Sequence, residues 1–432
     1  MPPLEAWQEL LATASMAFTR PGFQLFRVFV TGWVLCAGRR TVTGMFPAID
    51  PQRRRSVAAY HHFLRDGAWS SRELWRGLVL AVLARHCPAG VPVDLAIDDS
   101  LVHRAGPLVE GADVFRDPVR STKRRTVYAR GINTVALCVL VRLPLLRQPL
   151  ALTVDKRDFR KGGPSHVALA AEMVRALAAL CPDRRFRLVA DGAYASLAGE
   201  DLPRSVVVSR LRRDAALYEC APARRPGQRG RPRKKGARLP TPPGLAAAAS
   251  RSRWQKVDLR QRGRTVTRLL LSRTVLWYGA SGTRPLLLVI VRDPAGREPD
   301  DFFFSTDLDA APADVASLYY DRWAIEVTFR DVKQLLTPQH IQSWRRCGPG
   351  RAVALGFWLH SAVWLHYLQT CADRPSWPDR PWYPDKRSPS FADARAALRT
   401  ALWQERLSPY SQPDSDAAKL ADALVAVLAR AG

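Results

Sequence analysis

Acid is what this chain has least of for its size. Asp and Glu number 39 against 66 Lys and Arg, a formal charge of +27 over 432 residues. Such an excess calls for a polyanionic partner or a special reason for solubility, with nucleic acid the first choice among partners. Most of the cations are Arg, whose planar fork donates two hydrogen bonds at once to a phosphate. Cysteine is equally uninformative as a scaffold. The seven residues 36, 87, 138, 181, 220, 347 and 371 are odd in number and form no CxxC pair. That argues against a zinc ribbon or a disulfide framework and reads as small apolar residues in a reducing compartment. The longest apolar run, Val28–Cys36, falls far short of the ~20 residues a bilayer requires. The N-terminus MPPLEAWQEL has acids and no basic leader pattern, so the expected location is cytoplasmic. Internal repeats are not visible. With 47% apolar residues the chain has ample material for a core, and its length suits two or three domains.

What is present falls into blocks. Residues 1–90 repeat apolar positions at three and four, which predicts helices over 4–18, 22–35, 54–64 and 71–86, the last capped by Ser70. With Arg39, Arg40, Arg53, Arg54 and Arg55 between them, this region reads either as a DNA-binding module or as a helical brace. At Val91–Ile97 the period changes to two, giving a strand that ends at Asp98-Asp99-Ser100. A basic loop over 113–130 carries Lys123, Arg124 and Arg125. Strands at 134–141 and 150–154, a helix at 167–180, a strand at 186–190 delivering Asp191, and a strand at 205–208 complete an α/β layer with a mixed sheet.

Residues 212–238 hold ten basic and two acidic residues among Pro and Gly. Their centre, Arg229-Gly-Arg231-Pro-Arg233-Lys234-Lys235, resembles the minor-groove clamp of AT-hook proteins, and a general phosphate-binding loop accounts for it equally. Short strands follow at 254–259, 265–271, 274–278, 286–291 and 302–305. A nearly all-apolar helix at 353–368, a Pro-rich linker at 374–389 and helices near 391–406 and 416–430 close the chain. The divisions expected are therefore 1–90 (helical), 91–211 (first part of a core), 212–306 (basic loop and β-rich insertion), 307–372 (second part of the core) and 373–432 (helical, a candidate for dimerisation).

The stretch Leu318–Leu336 is the most telling. Read as one helix at about 100° per residue, it gathers Tyr319, Arg322, Glu326 and Lys333 within about 60° of one another. Arg330 extends the basic side, while Ile325, Val327, Phe329 and Val332 anchor the helix. An aromatic, a carboxylate and two cations on one face suit a helix that gives an acid to a metal and lays cations on phosphates, although Glu326 with Arg322 is also an ordinary i, i+4 surface pair. If the helix packs over the ends of the two acidic strands, Asp98, Asp191 and Glu326 converge. Three buried carboxylates need cations to stay ionised, and a pair of Mg²⁺ ions about 4 Å apart is their natural ligand, with two-metal phosphoryl transfer the matching chemistry.

The spacing Tyr319-(2)-Arg322-(3)-Glu326-(6)-Lys333 resembles the YREK signature of one branch of bacterial insertion-sequence transposases, DDE cut-and-paste enzymes with a ribonuclease-H-like core. Ala96-Ile-Asp98-Asp-Ser100 and Val189-Ala-Asp191-Gly-Ala-Tyr194 look like its first and second acidic motifs. The acids are separated by 93 and 135 positions, the long second gap being typical of that branch. The resemblance implies Asp98, Asp191 and Glu326 as catalytic metal ligands for two Mg²⁺, with Mn²⁺ an acceptable substitute. It implies Tyr319, Arg322 and Lys333 as phosphate contacts at the transposon end, and a homodimer on double-stranded DNA that nicks the ends and transfers the 3′-hydroxyls to target. Some members flip a base onto an aromatic. The Trp expected before the Glu helix is missing from Asp300-Asp301-Phe302-Phe303-Phe304, leaving Trp254, Trp277 or Phe302 as substitutes. Of the neighbours, Asp99 reads as a loop-orienting acid or a fourth ligand. His103 reads as a structural or phosphate contact, Arg104 as a phosphate contact, and Tyr320 and Trp323 as packing residues. Another nuclease on the same core, or a non-catalytic DNA-binding relic, are the competing readings.

Overall fold

The computed structural model describes residues 1–223, 230–371, 373, 375, 377, 383–408 and 416–431. Arg229 and part of the Pro-rich stretch 374–389 lie outside them.

The first 90 residues form helices α1 (Pro3–Ala12), α2 (Arg20–Leu35), α3 (Val42–Ile49), α4 (Val57–Arg65) and α5 (Ser71–His86). Thr19, Thr41 and Ser70 cap α2, α3 and α5 with their hydroxyls. The short α3 is unmarked in the sequence because Gly44 and Pro47 dilute its apolar period. Gly77 in α5 admits the Thr13 carbonyl so closely that an added Cβ would sit 1.9 Å from it.

A sheet follows, built from β1 (Val93–His103), β2 (Asp113–Arg116), β3 (Tyr128–Val141), β4 (Leu150–Phe159), helix α6 (His166–Leu180), β5 (Phe186–Ala190) and β6 (Ser205–Arg210). β1, β3 and β4 are antiparallel neighbours, while β5 and β6 run parallel to β1. The order β4–β3–β1–β5–β6 is that of a ribonuclease-H-like mixed sheet. Two boundaries differ from the expectation. β1 does not stop at Asp98 but runs to His103, because β3 continues to pair with it after β5 has ended at Ala190. The basic stretch 113–130 is not all loop: β2 pairs with Tyr128–Gly131 of β3.

Beyond β6 come α7 (Pro242–Ala248), β7 (Gln255–Gln261), β8 (Arg264–Val275), α8 (Tyr278–Ser281), β9 (Leu286–Arg292) and β10 (Asp301–Ser305). The two strands expected at 265–271 and 274–278 are one, since Ser272 and Arg273 keep pairing with β9. β10 returns to pair with β6, so these strands prolong the central sheet to ten strands.

The stretch expected as one helix is three pieces. They are α9 (Pro312–Asp321), α10 (Ala324–Asp331) and a π turn, Val332–Leu336. At the joint, Arg322 to Glu326 bond mostly i to i+3, which tightens the winding. The π turn then loosens it. The last helices are α11 (Gly348–Thr370), α12 (Phe391–Leu407) and α13 (Asp416–Leu428).

α11 is buried along nearly its whole length and packs against α1, α4, α5, α12 and β4. One apolar core runs from Trp7 to Leu402. Both ends of the chain are stitched into it: Trp33 Nε1 donates to the Leu336 carbonyl (2.8 Å), and Arg399 Nε to that of Val34 (2.6 Å). Of the cysteines, 36, 138 and 181 are buried as expected of small apolar residues, but Cys220 and Cys347 are exposed.

Two histidines lie inside α11. Burial lowers His360 to about 3, and neither of its ring nitrogens has a partner among the described residues. Burial lowers His366 to about 4, against a bond to the Pro3 carbonyl. Both stay neutral in the fold and take up protons below pH 6.5 when unfolded. The stability they contribute is complete above pH 6.5 and is lost as pH falls toward 4. Denaturation between pH 7 and 4.5 should show a slope approaching about 1.4 kcal/mol per pH unit for each histidine. His360→Leu should remove one such contribution; an unchanged slope would place the acid sensitivity elsewhere.

Candidate active site

The alternation of β1 decides which acid faces which helix. Asp98 and Ser100 point to the face covered by α9, α10 and α11; Asp99 points to the other, where Tyr194 Oη donates to it at 3.0 Å and Asn133 Nδ2 at 3.3 Å. Asp99 is therefore an orienting acid tied to the turn after β5, not a member of the Asp98 group. Asp191 follows the last residue of β5, whose Ala190 pairs with Ile97, so the two aspartates are neighbours across adjacent strands.

α10 brings the third acid. Arg322, at the tightened joint, donates Nη1 to Asp98 at 2.5 Å and Nη2 to Glu326 at 2.9 Å. Tyr319 Oη donates to Asp191 at 3.3 Å while its ring stacks on Phe303, 4.3 Å between centroids. Lys333, on the π turn, donates Nζ to Ser100 Oγ at 2.8 Å. Tyr319, Arg322 and Lys333 thus reach Asp191, Asp98 and Ser100 directly, and Glu326 joins them through Arg322.

A second set of charges fixes the joint. Arg142, the residue after β3, donates Nη1 to Asp94 of β1 at 2.5 Å, and both Nε and Nη2 to Asp321, the last residue of α9, at 2.9 and 2.7 Å. Arg187 of β5 adds two bonds to Asp94. Asp94, Arg142 and Asp321 escape a reading by motif, since the residues are 48 and 179 positions apart; a buried acid one residue before Arg322 is the only local sign.

Burial pushes Asp98 up to about 7. Arg322 opposes that rise, while Asp99 and Asp191 add to it. Burial works against the charge of Arg322 as well, but Asp98, Tyr319 and Glu326 outweigh it and hold the guanidinium firmly protonated. Burial raises Tyr319 to about 12 and lowers Lys333. Among the described residues no three His, Cys, Asp or Glu side chains form a ready-made metal cluster. The donor set still fits a hard divalent cation, because it offers only carboxylate oxygens, and a single guanidinium is the one cation bonded to Asp98 and Glu326 among the described residues.

The other expected contacts lie apart from this set. Arg330 is exposed and paired with its neighbour Asp331. Lys123, Arg124 and Arg125 sit on an exposed turn that hangs from Asp117, which also bonds His103 at 2.8 Å. Arg231, Arg233, Lys234 and Lys235 are exposed, and Lys235 lies 4.1 Å from the Tyr218 ring centre. Arg104 is not a surface cation: it is buried and donates to backbone carbonyls at 339 and 341. Trp323 is not a packing residue, being 43% exposed beneath Arg262; its place at the tightened joint turns it outward. Phe302 and Trp277 are buried as they stand and Trp254 is covered by Arg292, so none of the three offers a free face to a base.

Arg322→Met should leave Asp98 and its acidic neighbours without their cation. The loss of stability in chelator should be about 2–4 kcal/mol by thermal or chemical melts, and added Mg²⁺ should narrow the gap to wild type. Asp98→Asn in the same background should recover most of the loss, because the buried charge is gone; failure to recover would mean that Arg322 stabilises by packing instead.

The family model described as DDE superfamily endonuclease matches residues 17–266, more than half of the chain. The match takes in Asp98 and Asp191 and ends inside β8, before Glu326. No curated protein matches the chain. A mixed sheet that sets two aspartates side by side, over more than half of the chain matched to this model, leaves a plain conclusion: the chain belongs to the DDE superfamily endonucleases.

Proposed function

We propose that this endonuclease is a DNA transposase of the YREK-signature branch, cleaving the ends of an insertion sequence and joining their 3′-hydroxyls to target DNA. The observation that carries this reading is the joint contact of Arg322 with Asp98 and Glu326, beside Tyr319 on Asp191 and Lys333 on Ser100. A generic metal-dependent nuclease needs the acids; it does not need an aromatic and two cations at these spacings aimed at the same strand ends.

In this reading Asp98, Asp191 and Glu326 hold divalent metal, which DDE endonucleases typically use, with Mg²⁺ the proposed ion. Bound there, two such ions would polarise the attacking and leaving oxygens of a phosphodiester. The protein's own residues do the positioning. Arg322, whose Nε has no acceptor among the described residues, and Lys333 orient phosphates beside the acids. Tyr319 fixes the Asp191 carboxylate through its hydroxyl and is itself fixed by Phe303. The Arg142 clamp keeps the α9–α10 joint in place over β1. Helices of 1–90, the turn with Lys123, Arg124 and Arg125, and the basic run 229–235 supply further backbone contacts. Residues 373–432 are proposed to pair two protomers, one for each transposon end. Among the described residues no helix is long and apolar enough to cross a membrane.

Glu326→Gln keeps the side chain's shape and removes its charge. Cleavage of a plasmid carrying the element's ends should fall by at least about 10³-fold, while affinity for the ends in Ca²⁺ should stay within a few fold; equal cleavage by both proteins would remove Glu326 from the acid set. The transposase reading separates from a plain nuclease on products: wild type with paired ends and a target plasmid should yield joined strand-transfer products on gels, and cleavage without joining would leave only the nuclease.

A further inference from the structure

One feature that the proposed chemistry leaves unused is a nest of buried cations just past Lys333. Thr337, in the left-handed region at φ +47, ends the π turn and starts a 3₁₀ turn, Pro338–His340. Gln339 Nε2 ties that turn back to the Lys333 carbonyl at 2.6 Å. Arg104 arrives from the end of β1, giving Nη1 to the carbonyls of Gln339 and Ile341, while its buried Nε and Nη2 have no acceptor among the described residues. Arg40 arrives from the loop after α2. It is only 5% exposed, and its Nε and Nη2 are likewise without an acceptor.

Arg104 brackets His340 through the carbonyls on either side of it, at 339 and 341. The charges of Arg39, Arg40 and Arg104 all lower the proton affinity of His340, after burial itself. Arg40 also acts on Arg395 and Arg399, which are turned to the backbone carbonyls of Leu335, Val34 and Cys36. Among the described residues no carboxylate pairs with Arg40 or Arg104. An uncompensated guanidinium below the surface carries a steep desolvation penalty, and unpaired buried donors are rare in a finished fold. What is missing is a compact anion rich in acceptor oxygens. The nest has a mouth, because Ala37, Gly38 and Arg39 are exposed and Gln339 and His340 are half-buried.

We propose that Arg40 and Arg104, with His340 beside them and Arg39 at the mouth, form a seat for one phosphate of a DNA backbone, separate from the phosphate that is cut. The choice of DNA rests on the function proposed above. Six residues of β1 separate Arg104 from Asp98, about 20 Å of strand, so the seat takes a phosphate well away from the acids. The tie from Gln339 to Lys333 makes it continuous with the phosphate contacts beside the acids. One strand can lie across Ser100 and Lys333 and end in the nest.

Arg40 is the residue to test, because Arg104 also holds the 338–341 turn. Full-length wild type, Arg40→Met and Arg40→Lys would be compared in chelator, so that nothing is cut. Melting is followed in inorganic phosphate against chloride at equal ionic strength, and binding of a duplex end is followed across a salt titration. Arg40→Met should melt in chloride at or above wild type, since it loses a charge without a counter-ion, and should lose the extra rise in Tm that phosphate gives. Its slope of log affinity against log salt should be shallower by about one, with Arg40→Lys restoring most of it. A lower Tm for Arg40→Met in chloride would make Arg40 a strut and overturn the seat. So would equal phosphate responses and equal slopes in all three proteins. Phosphate stabilisation that needs Arg40, without duplex binding by wild type, overturns the DNA assignment and leaves free phosphate as the ligand. A shallower slope in Arg40→Met with no Mg²⁺-dependent cleavage by wild type upholds the seat and removes the transposase reading instead.

Discussion

Everything at the acidic end of the sheet depends on one guanidinium. β1 and β5 bring Asp98 and Asp191 together because parallel pairing from Val93 to Ile97 leaves it no alternative, and α10 adds Glu326. Such a gathering is unfavourable by itself: burial raises Asp98 to about 7, and the charges of Asp99 and Asp191 add to the rise. Arg322 makes it tolerable by bonding two of the three acids at once. The rest of the neighbourhood is built to put Arg322 there. Arg142 holds Asp321 against Asp94, the joint is tightened by i to i+3 bonds, and Phe303 backs the preceding turn of helix through Tyr319.

The same residue type serves very different ends across the chain. Part of the +27 charge lies on exposed turns, where it attracts a polyanion at long range. A substantial part is internal. Arg399 closes the C-terminal carbonyls of α2, Arg351 reaches the Leu64 and Trp69 carbonyls, and Arg268 joins Asp293 and Glu298. Five donors in a rigid fork make Arg a cross-link between backbone segments as well as a phosphate ligand. Net charge alone therefore overstates the surface available to DNA, and Arg40 and Arg104 stand out because they are internal without being fully used.

Much of this was legible in the residues, and the reasons are specific. Phe186–Ala190 reads as a strand to its boundaries because Asp191 and Gly192 end its apolar run. The stripe of Tyr319, Arg322, Glu326 and Lys333 reads correctly as one face even though the helix is not continuous. What periodicity could not show was the full length of β1, which β3 sets, or the prolongation of the sheet by β7 to β10, which depends on β10 pairing with β6. Nor could it show Arg142 with Asp321, or Arg40 with Arg104. Those are meetings across tens to hundreds of positions, and each partner taken alone is an ordinary charged residue.

The stitching of the two termini into one core has a bearing on synthesis. The indole of Trp33 waits for a carbonyl 303 residues later, and the carbonyl of Val34 for a guanidinium 365 residues later. α11, the helix around which the N-terminal helices pack, emerges only after the whole sheet has been made. A growing chain on the ribosome thus carries unmatched apolar helices at its front for most of translation, and contacts of such long range are slow to close. The nascent polypeptide holds both aspartates well before Glu326 exists, and α12 must follow before α2 is fully docked. The two ends of the core therefore meet last, and the acids are complete only once α10 has followed the whole sheet.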